Sequence, residues 1–380
     1  DTKEIQYHII SSILKEGNSR TLIVGDPNQS IYETLGGFPM DKAELETLIG
    51  FSLIERPLSL NYRSSSKIIE YFEYYKTFSN SIEPAGKHKD YESIITYNNS
   101  ITKDNIENAI VELIEYNINI KNISPNEICI AAPQWIPLAS LTRNLMVRLP
   151  DYSFNGPGMA PFSRDIDNFW YKLCRIVLTE PSPNLYIRRL RWSKEILSEL
   201  FNAGVDISAF TSKTFLKLCN SVTAEESDGL LYLESLFKEI CIQLNIDLKV
   251  FPTLEEHYIS FFESSKNRIE RLQKDGNQLI GSIENFRKVF KQKKGITIST
   301  IHGTKGEEYD TVIAYGLLDD WVPHFKDENG SVNSKKMLYV LCSRARKNLH
   351  LISEKGRNVH HYYKPEGLIP TPHLTNYEFE

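Results

Sequence analysis

Four short stretches carry side chains suited to phosphate and base chemistry, and they recur in a fixed order along the 380-residue chain. The first is Gly25-Asp26-Pro27-Asn28-Gln29-Ser30-Ile31-Tyr32. A neutral amide such as Gln29 can hydrogen-bond a phosphate oxygen or a water without burying a charge. Pro27 and Asn28 are equally at home in a plain polar turn. The second is Leu58-Ser59-Leu60-Asn61-Tyr62-Arg63-Ser64. There Arg63, at a strand–helix junction, can reach a ligand at the sheet edge, and Tyr62 can stack on a base. The alternative is a surface ion pair beside a core tyrosine.

The third stretch is Ile298-Ser299-Thr300-Ile301-His302-Gly303-Thr304-Lys305-Gly306-Glu307-Glu308-Tyr309-Asp310. Its small and Gly-containing loop lets phosphate oxygens approach backbone N–H groups. The fourth, Met337 through Lys347, is an apolar run that ends in Arg344, Arg346 and Lys347. Cations are favoured at a helix C-terminus in any case. The same placement also serves an arginine aimed at a phosphate held by another domain. No G-x-x-x-x-G-K-[ST] phosphate cradle occurs anywhere in the chain.

These residues need elements to position them. A chain of this length is expected to form two or three domains. Apolar residues make up 41% and charged residues 24%, an ordinary globular composition. No apolar run is long enough for a membrane span. The net charge of −5 is not that of a globally basic protein, so any nucleic-acid contact falls to local Lys and Arg grooves. The five cysteines are widely spaced and form no C-x-x-C, which points to buried free thiols in a reducing, cytoplasmic compartment. The first residues show neither an initiator Met nor a signal segment, so a piece of a longer protein is expected.

Periodicity predicts helices over residues 3–16, 41–50, 63–78, 105–117, 138–149 and 335–345. It predicts strands over 21–24, 58–61, 93–97, 127–132, 152–154, 296–300, 311–315 and 348–352. Between residues 165 and 290 the strand signal vanishes and helical stretches such as 169–178, 230–244 and 254–273 take over. The expected fold is α/β, a parallel sheet covered by helices on both faces, with an all-helical insert.

Taken in order, the four stretches resemble motifs III, IV, V and VI of UvrD/Rep-type superfamily 1 DNA helicases: GDxxQSIY, L-x-x-NYRS, T-x-H-x-x-KG-x-E-[FY] and LYVA-x-TRA. Asp1-Thr2 with Gln6-Tyr7 is similar to the tail of motif II, and residues 127–164 are similar to the stretch leading into the family's helical insert. The resemblance implies two RecA-like P-loop NTPase motor domains, 1A and 2A, with ATP between them and helical inserts 1B and 2B. On that basis residues 1–57 are the remnant of 1A, 58–163 and 295–380 are 2A, and 164–294 are 2B. Walker A, the magnesium-binding Asp and the catalytic Glu are expected upstream, so ATP and Mg2+ are mostly held there.

By position, the resemblance makes Gln29, Arg63 and Arg344 catalytic groups at the γ-phosphate. Tyr62 stacks on adenine, and Glu308 with Gly306 binds the ribose. Tyr32, Thr300 and His302 face single-stranded or duplex DNA. The implied activity is ATP-driven translocation, 3′ to 5′, and unwinding, with this portion inactive alone. Protein partners through 2B are implied as well, and no membrane contact. Two motifs depart from the family: in the first, Thr34 and Leu35 stand where a base-stacking Trp and an Arg are usual, and in the third Glu307 replaces a Leu. Stacking is worth about 1–3 kcal/mol per base, so the grip on DNA is expected to be weaker or differently built. These departures keep open a non-motor DNA- or protein-binding module, or an ATPase subunit of a nuclease or phage-defence complex. Basic clusters at Arg188, Arg189, Arg191 and Lys194, and at residues 287–294, either touch phosphates or form solvated helix faces.

Overall fold

The computed structural model describes residues 2–16, 21–32, 36–37, 39–157, 160–162, 165–274, 280–290, 295–358 and 364–376. Thr34 and Leu35 lie outside the described residues. The chain divides into two compact units, one comprising Asp1–Pro157 with Lys294–Glu380 and the other Gly158–Lys293.

The first unit opens with helices α1 (Glu4–Glu16) and α2 (Lys42–Ile49), the latter started by a capping box between Asp41 and Glu44. Strand β1 (Leu60–Asn61) leads into α3 (Ser66–Glu73) and pairs with β2 (Glu83–Pro84). There follow β3 (Ile95–Asn98), α4 (Ile106–Glu115), β4 (Ile128–Ala132), α5 (Trp135–Arg148) and β5 (Phe154–Asn155).

The second unit is helical among the described residues: α6 (Phe169–Val177), α7 (Pro183–Asn202), α8 (Ser212–Ser221), α9 (Gly229–Gln243), α10 (Pro252–Lys274) and α11 (Ile283–Lys288). Its core is aromatic. Trp170 is buried at the centre, in edge or tilted contact with Phe169, Phe237 and Tyr258, and its indole Nε1 donates to Leu254 O at 2.9 Å. Arg189 is buried in this unit, donating to Ile176 O and Asn220 Oδ1, so within the first basic cluster it holds helices together.

Back in the first unit come β6 (Ile296–Thr300), β7 (Tyr309–Ala314), α12 (Gly330–Cys342) and β8 (Ala345–Ile352). Strands from both sides of the helical stretch join one six-stranded sheet, in the order β3-β8-β7-β4-β6-β5, with every pair parallel. Strand β4 is buried along its whole length, as a central parallel strand covered on both faces must be.

The strand expected at residues 21–24 is absent. Leu22 and Val24 are 88% and 70% exposed, and no strand runs beside them among the described residues. Apolar residues alone do not make a strand when no ladder partner is available for the backbone groups. The five cysteines are buried, and none forms a disulfide. Among the described residues no helix is long and apolar enough to cross a membrane.

A polar knot lies under the sheet. After α4 the backbone makes one π turn, Tyr116–Ile120, which turns Asn117 inward, where it is fully buried. Asn117 Oδ1 accepts from Thr311 Oγ1 at 2.8 Å and Asn348 Nδ2 at 3.0 Å. Its amide nitrogen therefore faces His350 Nε2, 2.9 Å away, and the imidazole must accept there. That fixes the proton on Nδ1, which donates to Thr96 Oγ1 at 2.8 Å. Burial pushes the His350 pKa down to about 4. The unfolded imidazole titrates near its ordinary value of about 6.5 and binds the proton first as pH falls. Stability is therefore fully present above about pH 6.5 and lost as pH falls toward 4. The expected loss between pH 7 and 5 is about 2 kcal/mol, read from urea unfolding at both pH values. A His350→Gln variant is expected to flatten that slope.

Candidate nucleotide and nucleic-acid site

The Asn61-Tyr62-Arg63-Ser64-Ser65 run is held by its polar residues so that its other two side chains project. Asn61 Oδ1 accepts from the backbone N–H of Arg63 and Ser64, at 2.9 and 3.0 Å. Ser64 Oγ donates to Ala345 O at 2.6 Å, and Ser65 N donates to Arg346 O at 3.0 Å, so the run is tied to the start of β8. Ser65 also caps α3. Tyr62 is left 67% exposed, the open ring face that stacking needs, which answers the sequence's alternative of a core tyrosine.

Gly86 seats this run from below. A Cβ added there would lie 2.1 Å from Tyr62 O, so the two backbones touch only because Gly has no side chain. Gly86→Ala is expected to cost about 1–3 kcal/mol by overpacking. It should also displace the Tyr62 backbone, and a lowered urea midpoint measures the cost.

Arg63 Nε donates to Glu308 Oε2 at 2.6 Å and its Nη1 to Ser343 O at 3.0 Å. Glu308 also pairs with Arg346, at 3.3 Å, and Arg346 reaches Asp310 at 2.7 Å and Glu127. Lys347 closes the cluster on Asp310 at 2.8 Å. The hydrogen bond from Arg63, then the charges of Arg63 and Arg346, hold the Glu308 carboxyl below the usual range. Burial alone would raise the Asp310 carboxyl, but Lys347 and Arg346 outweigh it. Glu308 is half exposed, so its pair with Arg63 is worth about 0–1 kcal/mol and yields readily to a competing anion.

Arg344 is different. It is 2% exposed, yet its partners are all neutral. Nε donates to Val340 O at 2.9 Å, Nη1 to Glu307 O at 3.3 Å, and Nη2 to Ser343 Oγ at 2.8 Å and Gln29 Oε1 at 3.3 Å. Among the described residues it forms no ion pair. Burial, then the neighbouring Arg63 charge, pushes its pKa down to about 10. Gln29 is oriented in turn, its Nε2 donating to Asp26 Oδ2 at 2.8 Å. The loop carrying it is anchored by buried Asn28, whose Oδ1 accepts from Thr77 and Phe78 N, both at 2.8 Å.

Two groups of residues occupy different ends of the sheet. Glu308 and Arg344 immediately precede β7 and β8, at amino ends, and Arg63 meets them there. Thr300 closes β6 at its carboxyl end, with Gly303 N donating to its Oγ1 at 3.1 Å. His302 follows on a single 3-10 turn, and burial lowers its pKa. Tyr32 lies against it, ring centroids 5.4 Å apart. Gly306, at φ +88°, takes a left-handed turn that suits glycine, just before Glu307 and Glu308.

The structure thus brings together Gln29, Arg63, Glu308 and Arg344, and separately Tyr32, Thr300 and His302. Asp26, Lys305, Arg346 and Asp310 were not singled out from sequence as site residues. Arg346 and Asp310 lay inside the quoted motifs, but their pairing spans a strand crossover that no local pattern reveals.

Comparison with known proteins bears on the same residues. The family model of the UvrD-like helicase C-terminal domain matches residues 253–356, and that of the UvrD/REP helicase N-terminal domain matches residues 1–40. The ATP-dependent DNA helicase Rep of Buchnera aphidicola is 24% identical over 398 residues, covering 92% of this chain and 60% of that protein. The ATP-dependent DNA helicase srs2 of Schizosaccharomyces pombe is 25% identical over 428 residues, covering 94% of this chain and 46% of that protein. A probable DNA helicase of Mycoplasma pneumoniae is 31% identical over 86 residues, 21% of this chain and 16% of that protein. The chain therefore spans 46% to 60% of the length of the two relatives it matches along most of its own. Tyr62 and Arg63 fall outside both family matches, Gln29 and Tyr32 fall in the N-terminal one, and Thr300, His302, Gly306, Glu308 and Arg344 in the C-terminal one. By these matches and the motif residues inside them, the chain is similar to the UvrD/Rep-type superfamily 1 helicases.

Proposed function

We propose that this chain is the C-terminal part of an ATP-dependent DNA helicase, and that it supplies the arginines that act on ATP held by a preceding RecA-like domain. In this reading residues 1–57 end domain 1A, 58–163 with 295–380 form 2A, and 164–294 form 2B. The observation that carries it is Arg344. A guanidinium buried among carbonyls, a hydroxyl and an amide is costly unless an anion arrives to pair with it. The residues present fit a nucleotide: Arg344 and Arg63 for the terminal phosphate, Gln29 for that phosphate or the attacking water, Tyr62 for the adenine, and Glu308 beside Gly306 for the ribose. Mg2+ would be held mostly by the preceding domain, where it would offset phosphate charge.

Closing onto nucleotide would draw Arg63 from Glu308 toward phosphate and leave the carboxylate for the ribose. Hydrolysis would pass the terminal phosphoryl group to water, with ADP as the leaving group, and departure of the phosphate would let the domains part. Repeated closing and opening would step the protein 3′ to 5′ along single-stranded DNA gripped near Tyr32, Thr300 and His302. The test is ATP hydrolysis by the full-length protein with and without single-stranded DNA, beside the 380-residue portion alone. Hydrolysis stimulated by DNA in the full protein and absent from the portion is expected. Robust hydrolysis by the portion alone, or none by the full protein, sinks the reading.

A further inference from the structure

Two segments 270 residues apart in sequence are joined side by side by three hydrogen bonds. Tyr32 Oη donates to His302 O at 3.2 Å. His302 Nε2 lies 3.2 Å from Ile31 O and, facing a carbonyl, must be the protonated nitrogen. Lys305 Nζ donates to Gln29 O at 2.7 Å. The same ammonium lies 5.4 Å from the Tyr32 ring centroid. Gln29, meanwhile, spends its side chain on Asp26 and Arg344. Lys305 therefore grips the main chain of the residue whose side chain touches the buried arginine, and rests on the ring of the residue placed toward nucleic acid.

We infer that Lys305 is a positioning residue for Gln29, linking the place of the Gln29 amide to the Tyr32–His302 contact. The inference rests on the ATPase reading above. A Lys suits the role physically. Its flexible stem crosses from the 302–305 turn to the 29–32 turn, and its point charge satisfies a carbonyl and a ring face together. The ammonium is partly buried, and burial followed by the Arg344 charge lowers its pKa, so its contacts are short of competing water. Releasing the carbonyl would let the 29–32 turn shift by a fraction of an ångström. A group that orients a water or a phosphate oxygen does not tolerate such a shift.

The test uses the full-length protein with oligo(dT) as the probe. In Lys305→Met, kcat at saturating oligo(dT) is expected to fall about tenfold while the KM for ATP stays within about twofold, the signature of a lost transition-state contact. Lys305→Arg, which can keep both contacts, is expected to recover most of that kcat. If the Met variant fails to fold, Lys305→Gln replaces it, and its shorter neutral side chain should lower kcat in the same way. An unchanged kcat in either variant, a raised KM with kcat retained, or an Arg variant as slow as the Met variant overturns the inference. A wild-type protein with no ATPase activity overturns the functional reading and this inference with it. An active wild type beside an unaltered Lys305 variant overturns the inference alone.

Discussion

Replacing Arg344 with alanine in the full-length protein is expected to lower DNA-stimulated ATP hydrolysis by about 10³-fold or more, the scale of a lost arginine finger. The expectation follows from how the guanidinium is built into the fold. Its Nε and one Nη are spent on the Val340 and Glu307 carbonyls, which set its plane. The remaining nitrogen points to Ser343 Oγ and Gln29 Oε1. None of these hydrogen-bond partners carries a charge, and burial outweighs the more distant carboxylates of Asp26 and Glu308 in weakening the proton's hold. An incoming phosphate would meet a cation that is oriented in advance and poorly solvated, where a charge–charge contact is worth most. Arg344→Lys is expected to rescue little, because an ammonium cannot hold two carbonyls and a phosphate in one plane. The Arg63→Ala loss should be smaller in the ground state, since Arg63 has Glu308 to leave. Affinity for single-stranded DNA without nucleotide should change by less than about threefold in Arg344→Ala, since Arg344 is not hydrogen-bonded to Tyr32, Thr300 or His302, the residues proposed to face DNA. An Arg344→Ala enzyme that hydrolyses ATP at the wild-type rate would show a module that keeps the fold without the motor.

The second large effect concerns stability. Asn117→Ala is expected to destabilise the first unit by about 3–5 kcal/mol, because it strips partners from three buried polar groups at once. His350 Nε2 loses its donor, and Thr311 Oγ1 and Asn348 Nδ2 lose their shared acceptor. All four residues are essentially without solvent contact, so water cannot stand in. Thr311→Val should cost only about 1 kcal/mol, since Asn117 Oδ1 keeps Asn348. Urea unfolding with an unchanged m-value measures both. Equal midpoints for the two variants would show that the knot is not cooperative.

Much of the fold was legible. Six of the predicted strands, those at 93–97, 127–132, 152–154, 296–300, 311–315 and 348–352, are the six strands of the parallel sheet, with no end displaced by more than three residues. They were readable because a strand buried on both faces must be apolar throughout, as Ile128–Ala132 is. The stretch at 21–24 shows where that reading fails: it has the composition of a buried strand, but Leu22 and Val24 are exposed and no ladder reaches them among the described residues. The insert's helices at 183–202 and 212–221 were expected only as part of a helical region. In the first of them the apolar pattern is interrupted by Arg189, which is buried and hydrogen-bonded.

For the site, the sequence by itself determined the residue types and their order: an amide at Gln29, cations at Arg63 and Arg344, a carboxylate at Glu308, and hydroxyl and imidazole at Thr300 and His302. These are local properties of motifs that sit at turns and strand ends, where few residue types fit. The tertiary structure alone decided which of them meet. Gln29 reaches Arg344 across 315 positions, Arg63 reaches Glu308 across 245, and Lys305 reaches Gln29 across 276. Neighbouring strands β7 and β8 bring Glu308 and Arg344 together, and Arg63 and Gln29 reach them by hydrogen bonds from outside the six-stranded sheet. Charge state is decided there too. Arg344 and Arg63 look alike in the sequence, but one is buried among neutral groups and the other is paired with a half-exposed carboxylate. That difference comes from solvent exclusion and long-range packing, which no local residue pattern encodes.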